Sequence, residues 1–216
     1  MRVLIAGSTG LVGGHLVHFL LEDSRIKEIH SLVRKETGLS HSKLKEHKIV
    51  FENLQHEAPN EHFDAIFCCL GTTIKKAGSQ EKFRKVDFDY VKSLAENYTS
   101  ADQFLVVSAM GADKSSSIFY NRVKGEMEEA VKNSGIKSVQ IFRPSLLLGD
   151  REEFRLGEKI GSIFMRIFSP LMFGSLKKYR PIKAADVAKA MLKASVSNSS
   201  SDTFDSYQIQ QMASGN

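Results

Sequence analysis

The first fourteen residues, Met1 to Gly14, read MRVLIAGSTGLVGG and decide the fold. The apolar run Val3–Ala6 predicts a buried strand, and it stops abruptly at Gly7. Gly10 and Gly13 follow at steps of three, and an amphipathic run comes after them. A buried strand, a glycine-rich turn and a helix in this order are typical of the βαβ unit that opens a dinucleotide-binding sheet.

Each glycine in this turn has a physical reason to be there. Gly7 lets the chain turn tightly out of the strand. Gly10 lets the backbone approach a pyrophosphate, and Gly13 lets the helix pack against the strand. The N–H groups and the dipole at the helix N-terminus then attract the anion. The spacing is GxxGxxG rather than GxGxxG, and such turns also occur without a ligand, but the position directly after a clean strand favours cofactor binding.

Length and composition describe a soluble globular chain. Its 216 residues predict a single domain, residues 1–216, and 42% hydrophobic with 25% charged residues is ordinary for this class. A net charge of +5 from scattered basic residues is too small to indicate nucleic-acid binding. No apolar run of about 18 residues is present, so we expect no membrane span.

The two cysteines, Cys68 and Cys69, are adjacent within an apolar run. Neighbouring residues on a strand point to opposite faces, so a disulfide between them is not expected. No metal-ligand spacing is visible, and we expect no metal site. The composition fits a reducing compartment, and we expect a cytoplasmic protein.

Apolar runs alternate with helical patterns along the chain, which predicts parallel strands joined by helical crossovers. The fold class is therefore α/β, a Rossmann-type doubly wound, mostly parallel sheet with a small C-terminal substrate region at 145–183. After the first strand, further strands are predicted at Ile29–Val33, Ile49–Phe51, Phe63–Leu70, Gln103–Ser108, Val139–Phe142 and Tyr207–Met212. Helices are predicted at Glu81–Tyr98, before Gly135 and at Ala184–Ala194, a loop or loose helix at 36–47, and a loop at Ser195–Asp202.

The end of the second strand indicates which nicotinamide cofactor would bind. An acidic residue at this position favours NAD(H), because it binds the ribose hydroxyl groups. Here Arg34 and Lys35 follow the strand, and a guanidinium suits a 2′-phosphate, so NADP(H) is favoured. Glu36 leaves NAD(H) open.

The segment Glu158–Phe173 is apolar and amphipathic, with basic residues beside it. One interpretation is a basic helix that binds a membrane surface or a protein partner. The favoured interpretation is a helix that covers the substrate cleft or makes a homodimer contact.

Three residues form a candidate catalytic set. Ser108 ends the fifth strand, and Tyr120 and Lys124 lie four apart on the following helix, one turn from each other on one face. The lysine ammonium is expected to lower the pKa of the Tyr120 phenol, which could then exchange a proton as a hydride moves to or from a carbonyl carbon. Lys124 could also bind the nicotinamide ribose, and Ser108 the substrate oxygen. A Tyr-x-x-x-Lys pair alone often occurs by chance, but a serine at the end of the preceding strand argues against a chance occurrence here.

These motifs resemble the short-chain dehydrogenase/reductase superfamily. They comprise GSTGLVGG from Gly7, the strand-end Ser108, YNRVK from Tyr120, and Arg143-Pro144. The runs CCLGTT, SAMGADKSS and YNRVKGEME are similar to an atypical branch that contains the human Tat-interacting protein of 30 kDa and its bacterial NAD(P)H-binding homologues. The resemblance covers nearly the whole chain.

The resemblance implies a Rossmann fold, an NADP(H) site and the catalytic set Ser108, Tyr120 and Lys124. The cofactor contacts expected are Gly7, Ser8, Thr9, Gly10, Leu11, Val12, Gly13, Arg34, Leu70, Gly71, Thr72, Tyr120, Lys124, Arg143 and Pro144. Many superfamily members have an asparagine at the start of the central helix, where this chain has Asp87. An aspartate supplies no amide N–H, so the usual proton relay is in doubt.

The leading hypothesis is therefore an NADP(H)-dependent oxidoreductase that acts on a carbonyl or alcohol. The alternative is an NADP(H)-binding regulatory or redox-sensing protein with little turnover, which Asp87 and the Glu158–Phe173 segment favour. A nucleotide-sugar epimerase is a weaker third hypothesis, because the chain after Asp150 leaves little room for a nucleotide-sugar domain.

Overall fold

The structure, a computed structural model, describes residues 1–149, 179–197 and 200–215. The predicted helix at Glu158–Phe173 and most of the predicted substrate region at 145–183 lie outside the described residues.

The first half of the chain builds alternating strands and helices. Its elements are β1 (Arg2–Ala6), α1 (Leu11–Glu22), β2 (Glu28–Val33), β3 (Leu44–Lys48), a 3₁₀ turn (Phe51–Asn53), α2 (Leu54–Glu57), β4 (Ala65–Cys68), α3 (Ile74–Ala77), α4 (Gln80–Arg84), a π-helical turn (Lys85–Asp89) and α5 (Tyr90–Asn97). The second half adds β5 (Gln103–Val107), α6 (Phe119–Lys132), β6 (Ser138–Arg143), β7 (Leu147–Leu148), β8 (Ile182–Lys183), α7 (Ala184–Val196), β9 (Asp202–Asp205) and α8 (Ser206–Ser214).

Within the described ranges, seven strands form one sheet in the order β3-β2-β1-β4-β5-β6-β9, and every neighbouring pair is parallel. Strands β7 and β8 form a separate parallel pair. The chain winds outward from β1 in one direction and then from β4 in the other. The predicted Rossmann-type, doubly wound sheet is confirmed, and its crevice lies between the carboxyl ends of β1 and β4.

Alternate residues of the strands face two cores on opposite sides of the sheet, as the period of a strand requires. One core packs Ile5 and Phe67 against α1 and α7. The other packs Leu4 and Phe104 against α5 and α6. Because both faces are covered, the central strands are apolar throughout, which is why the sequence identifies them well.

The two cysteines follow the same alternation. Cys68 packs into the second core and Cys69 against the first, and both are free thiols. Burial raises the pKa of the Cys68 thiol to about 12, so it is a neutral core side chain rather than a nucleophile. Among the described helices, none has the length and apolarity needed to cross a membrane.

Two predicted strands are wrong. The third strand is Leu44–Lys48, which begins inside the predicted loop or loose helix 36–47, whereas Ile49 to Phe51 leads into a 3₁₀ turn that buries Phe51. The last strand is Asp202–Asp205, and the predicted strand Tyr207–Met212 belongs to helix α8.

The predicted helix Glu81–Tyr98 is interrupted. Helices α4 and α5 are joined by the π-helical turn Lys85–Asp89, which inserts an extra residue into the helical repeat. Asp87 lies at the centre of this turn and is buried.

Candidate functional site

The glycine turn after β1 is packed so closely that side chains are excluded. Gly7 has a φ of +88°, and a Cβ there would lie 2.5 Å from the carbonyl oxygen of Cys69. A Cβ on Gly13 would lie 2.1 Å from the carbonyl oxygen of Gly7. That oxygen accepts a hydrogen bond from the Gly10 amide at 2.9 Å. Both glycines therefore have the packing roles that the sequence predicts.

The N-terminus of α1 has the properties of an anion site. Its N-cap is Gly10, which contributes no side-chain cap, and no acidic residue lies in the first turn formed by Leu11, Val12 and Gly13. The positive end of a twelve-residue helix is thus not neutralised by its own first turn. These features, with the cradle that a Cβ would fill, fit the pyrophosphate of a dinucleotide.

The other predicted residues of this turn differ in their surroundings. The Ser8 hydroxyl accepts a hydrogen bond from the buried Ser31 of β2 at 2.8 Å, so it ties the turn to the sheet. Thr9 is exposed. Arg34 follows the end of β2 and is exposed, at the edge where the resemblance predicts an adenosine ribose.

The end of β4 brings a second part of the chain to the same crevice. Ala6 of β1 is in register with Cys68 of β4, so Leu70, Gly71 and Thr72 emerge beside the glycine turn. A Cβ on Gly71 would lie 3.4 Å from Asp87 Oδ1 and 4.0 Å from Lys124 Nζ. The predicted cofactor edge therefore adjoins the predicted catalytic lysine.

Helix α6 carries the candidate catalytic side chains. Tyr120, Lys124 and Glu128 are four apart, so they lie on one face. The Tyr120 ring packs against Phe83 of α4, with 5.4 Å between centroids. Lys124 and Glu128 are both buried, with exposures of 4% and 3%. Two charged side chains buried to this degree require partners.

The partner of Lys124 is Asp87. The distance from Lys124 Nζ to Asp87 Oδ1 is 2.7 Å, and Asp87 is 1% exposed. The other carboxylate oxygen, Asp87 Oδ2, accepts a hydrogen bond from the Thr72 amide at 2.8 Å. The π-helical turn and the end of β4 together hold this ion pair under the predicted cofactor edge.

Burial and charge act on Tyr120 in opposite directions. Burial raises the pKa of the Tyr120 phenol, the Lys124 ammonium lowers it, and the Asp87 carboxylate raises it again. The net direction is upward, so the expected lowering by lysine is outweighed in the cofactor-free protein. Burial lowers the pKa of Lys124, but Asp87 and Tyr120 together raise it further, so the ammonium form is favoured.

Ser108, which is expected to bind the substrate oxygen, has a protein partner that the sequence analysis does not name. Its hydroxyl donates to Glu128 Oε1 at 2.5 Å, and within residues 1–149 no hydrogen bond joins it to Tyr120. Arg143 binds the same carboxylate through two nitrogens, with its Nε donating to Oε1 at 2.9 Å and its second amino group to Oε2. The glutamate thus connects the ends of β5 and β6 to α6.

The position of Pro144 is fixed by the same strand ends. Its carbonyl oxygen accepts the Met110 amide at 3.0 Å, and the Ser108 amide donates to Phe142 at 2.7 Å. Arg143 and Pro144 therefore lie beside the chain that follows Ser108, on the carboxyl edge of the sheet.

Sequence reasoning overlooked Glu128. The signal was its spacing, because it continues the face of Tyr120 and Lys124 by one more turn. Asp87 was singled out as a departure from the usual asparagine, but its direct pairing with Lys124 depends on the π-helical turn.

A family model and two relatives match the sequence of this chain. The model described as the semialdehyde dehydrogenase NAD binding domain matches residues 2–118. Protein HTATIP2 of Rattus norvegicus is 36% identical over 180 residues, which are 81% of this chain and 71% of that protein. The mitochondrial protein FMP52 of Candida albicans is 33% identical over 202 residues, which are 89% of this chain and 86% of that protein.

Solved structures show the same fold at low identity. The human epimerase family protein SDR39U1 with NADPH has a TM-score of 0.62 at 18% identity and covers 94% of this chain and 72% of that one. MoeE5 in complex with UDP-glucose and NAD has a TM-score of 0.68 at 15% identity and covers 95% of this chain and 76% of that one. The chain therefore belongs to the family of HTATIP2 and the FMP52 proteins, with an NAD(P)-binding Rossmann fold.

Proposed function

We propose that this protein is an NADP(H)-dependent oxidoreductase that acts on a carbonyl or alcohol substrate. The observation that carries the proposal is the buried Lys124 one helical turn from Tyr120, at the sheet edge that also holds the glycine turn. A phenol and an ammonium in this arrangement suit proton transfer to or from a substrate oxygen.

The residues that would hold the cofactor are those around the crevice between β1 and β4. The N-terminus of α1 would bind the pyrophosphate, and Leu70 to Thr72 would line the path to the nicotinamide. A bound nicotinamide would donate or accept the hydride. Arg34 supports NADP(H), because a guanidinium matches a phosphate dianion. The neighbours include a protein solved with NADPH and one solved with NAD, so the preference needs its own measurement.

Tyr120 would transfer the proton. As a neutral phenol it donates its hydrogen to the oxygen of a carbonyl substrate, and Lys124 stabilises the phenolate that results. Ser108 has its own proton bound to Glu128, so its remaining lone pairs accept a hydrogen bond from a substrate hydroxyl or from Tyr120. Glu128 and Arg143 fix the position of this serine.

The same hydrogen bond supports a second candidate, a cofactor-binding regulator with little turnover. A Ser108 hydroxyl that donates to Glu128 is not free to donate to a carbonyl oxygen, which weakens one expected contribution to catalysis. The two candidates bind the same cofactor and differ in turnover.

A fluorescence titration with NADPH and NADH side by side tests the shared part. We expect NADPH to bind more tightly than NADH, and absence of binding for both would exclude both candidates. Turnover is then measured with a panel of aldehydes and ketones through the nicotinamide absorbance. Tyr120→Phe should abolish that turnover and leave cofactor affinity nearly unchanged, whereas binding with no turnover in the wild type would favour the regulator.

Location and the substrate region are separate proposals. Two free, buried or half-buried cysteines support a reducing compartment such as the cytoplasm, while the FMP52 relatives have mitochondrial in their names. Cell fractionation would test this. We also propose that residues 145–183 contribute to the substrate site, because the chain leaves the sheet edge at Arg143.

A further inference from the structure

Both oxygens of the Asp87 carboxylate are in contact with a charged or polar group in this site. One oxygen binds Lys124 Nζ at 2.7 Å, and the other accepts the Thr72 amide at 2.8 Å. The side chains of Asp87 and Lys124 are 1% and 5% exposed, so water does not screen the pair. The positive charge of the Lys124 ammonium, which would act on Tyr120, is therefore already balanced by the negative charge of Asp87.

We propose that Asp87 is a positioning residue that neutralises Lys124 and keeps Tyr120 as a neutral phenol, so that the site donates a proton to a carbonyl oxygen. This inference rests on the proposed function and identifies the direction that the site favours at neutral pH, which is reduction of a carbonyl rather than oxidation of an alcohol. Asp87 acts on Tyr120 through Lys124 and through its own charge, without touching the substrate.

Few charged groups face the Tyr120 phenol. Among the described residues, Lys124 on the same helix and Asp87 on the π-helical turn are the charges that act on it, and the Phe83 ring of α4 covers it with apolar surface. The Cys68 thiol of β4 lies near Lys124 and is neutral. The protonation state of the Tyr120 phenol is therefore set by burial and by one ion pair.

The pair explains why the lysine does not generate a phenolate. An isolated ammonium next to a half-buried phenol would favour the phenolate, because charges interact more strongly where less water screens them. With Asp87 at contact distance, the pair has no net charge, and its residual effect on Tyr120 is that of a dipole. Burial then decides the protonation state, and the phenol keeps its hydrogen at neutral pH.

A neutral phenol is the form that reduction consumes. The carbonyl carbon accepts a hydride from the reduced nicotinamide, the carbonyl π pair becomes a lone pair on oxygen, and that oxygen takes the Tyr120 proton. The substrate is reduced, the nicotinamide is oxidised, and the phenolate regains a proton from solvent. Oxidation of an alcohol would instead need the phenolate at the start.

The test is a spectroscopic titration of Tyr120 in the cofactor-free protein. The chain contains no tryptophan, so the near-ultraviolet absorbance of tyrosinate is not obscured by indole. Subtracting the titration of Tyr120→Phe from that of the wild type isolates one of the five tyrosines. This readout needs neither cofactor nor substrate.

The variants are Asp87→Asn and its matched control Asp89→Asn. Both remove one negative charge from the same helical turn, but Asp89 is exposed whereas Asp87 is buried against Lys124. We expect the Tyr120 midpoint to move to lower pH in Asp87→Asn and to stay in place in Asp89→Asn. A midpoint that stays or rises in Asp87→Asn overturns the proposal.

The variant Lys124→Gln separates this role from a structural one, and it still tests the proposal if Asp87→Asn folds poorly. Lys124→Gln alone should move the Tyr120 midpoint to higher pH, and adding Asp87→Asn to it should lower that midpoint again, because the Asp87 charge also acts on the phenol directly. An unchanged midpoint in Lys124→Gln also overturns the proposal. Absence of NADPH binding would defeat the proposed function without affecting these midpoints, so the two failures are distinguishable.

Discussion

Replacing Glu128 by glutamine tests the buried connection between α6 and the ends of β5 and β6. Both carboxylate oxygens accept hydrogen bonds, from Ser108 and from Arg143. Glutamine keeps the shape, but its amide nitrogen places a donor against a donor on one side. It also leaves the guanidinium of Arg143 without its counter-ion.

The expected cost follows from the burial of the two partners. Removing one partner of a buried ion pair typically costs about 3–5 kcal/mol. The Glu128 side chain is 4% exposed but that of Arg143 is 33% exposed, so the arginine can regain part of its hydration. We therefore expect a loss of about 3 kcal/mol in the free energy of unfolding. For a chain of this size that corresponds to a fall of roughly 6–12 °C in Tm.

The assay is urea unfolding followed by circular dichroism, with Glu129→Gln as the control. Glu129 is the next residue on the same helix and pairs with Lys114 at the surface, where the side chains are 48% and 61% exposed. Such a pair contributes about 1 kcal/mol or less. If Glu128→Gln loses no more stability than Glu129→Gln, the buried network does not hold α6 to the strand ends.

Three further results are expected. Gly13→Ala should weaken NADPH binding in a fluorescence titration, because its Cβ would lie 2.1 Å from a backbone oxygen, whereas Gly14→Ala, with its nearest atom at 3.7 Å, should bind normally. Arg34→Ala should weaken NADPH more than NADH, and equal losses would remove this residue as the discriminator. Hydrogen bonding to Lys45 helps to lower the pKa of Glu28 from 4.5 to about 2, so its contribution to stability is present above pH 4.5 and is lost as the pH falls towards 2. When the free energy of unfolding is measured against pH, the Glu28 contribution to its fall between pH 4.5 and about 2 should be absent from Glu28→Gln.

The central strands could be predicted because they are buried on both faces. Val3 to Ala6 and Ala65 to Cys68 are continuous apolar runs, and a parallel sheet covered by helices requires them. The edge strand β3 has the sequence LKEHK and gives no such signal, because among the described strands it pairs with β2 alone, and it is partly exposed. The adjacent apolar run Ile49 to Phe51 fills the core without forming a strand.

The C-terminal error has a local cause that was present in the sequence. Tyr207 to Gln210 alternates apolar and polar residues, which suggests a strand. However, Asp205 and Gln208 form a capping box that starts a helix at Ser206. A start signal of this kind outweighs a short alternation.

The sequence identified most of the individual residues of the candidate site, but it did not identify the pairs of side chains that contact each other. The glycine turn, Ser108, Tyr120 and Lys124 were found from spacing. The partners Glu128 and Asp87 depend on which side chains meet across three elements, and sequence distance does not encode that. The position of Asp87 in particular depends on a break in helical phase that periodicity alone does not show.

The π-helical turn also makes this part of the chain sensitive to length. Each residue of an α-helix advances the direction of its side chain by about 100°. Loss of one residue between Lys85 and Asp89 would restore a regular helix and rotate one flanking half by that angle relative to the other. Either Phe83 would leave its place against α6, or Val91 and Leu94 would leave the core. A substitution in the turn changes one side chain, whereas a single deletion would misalign the helix with its surroundings. Homologous sequences should therefore vary in the composition of this turn and not in its length.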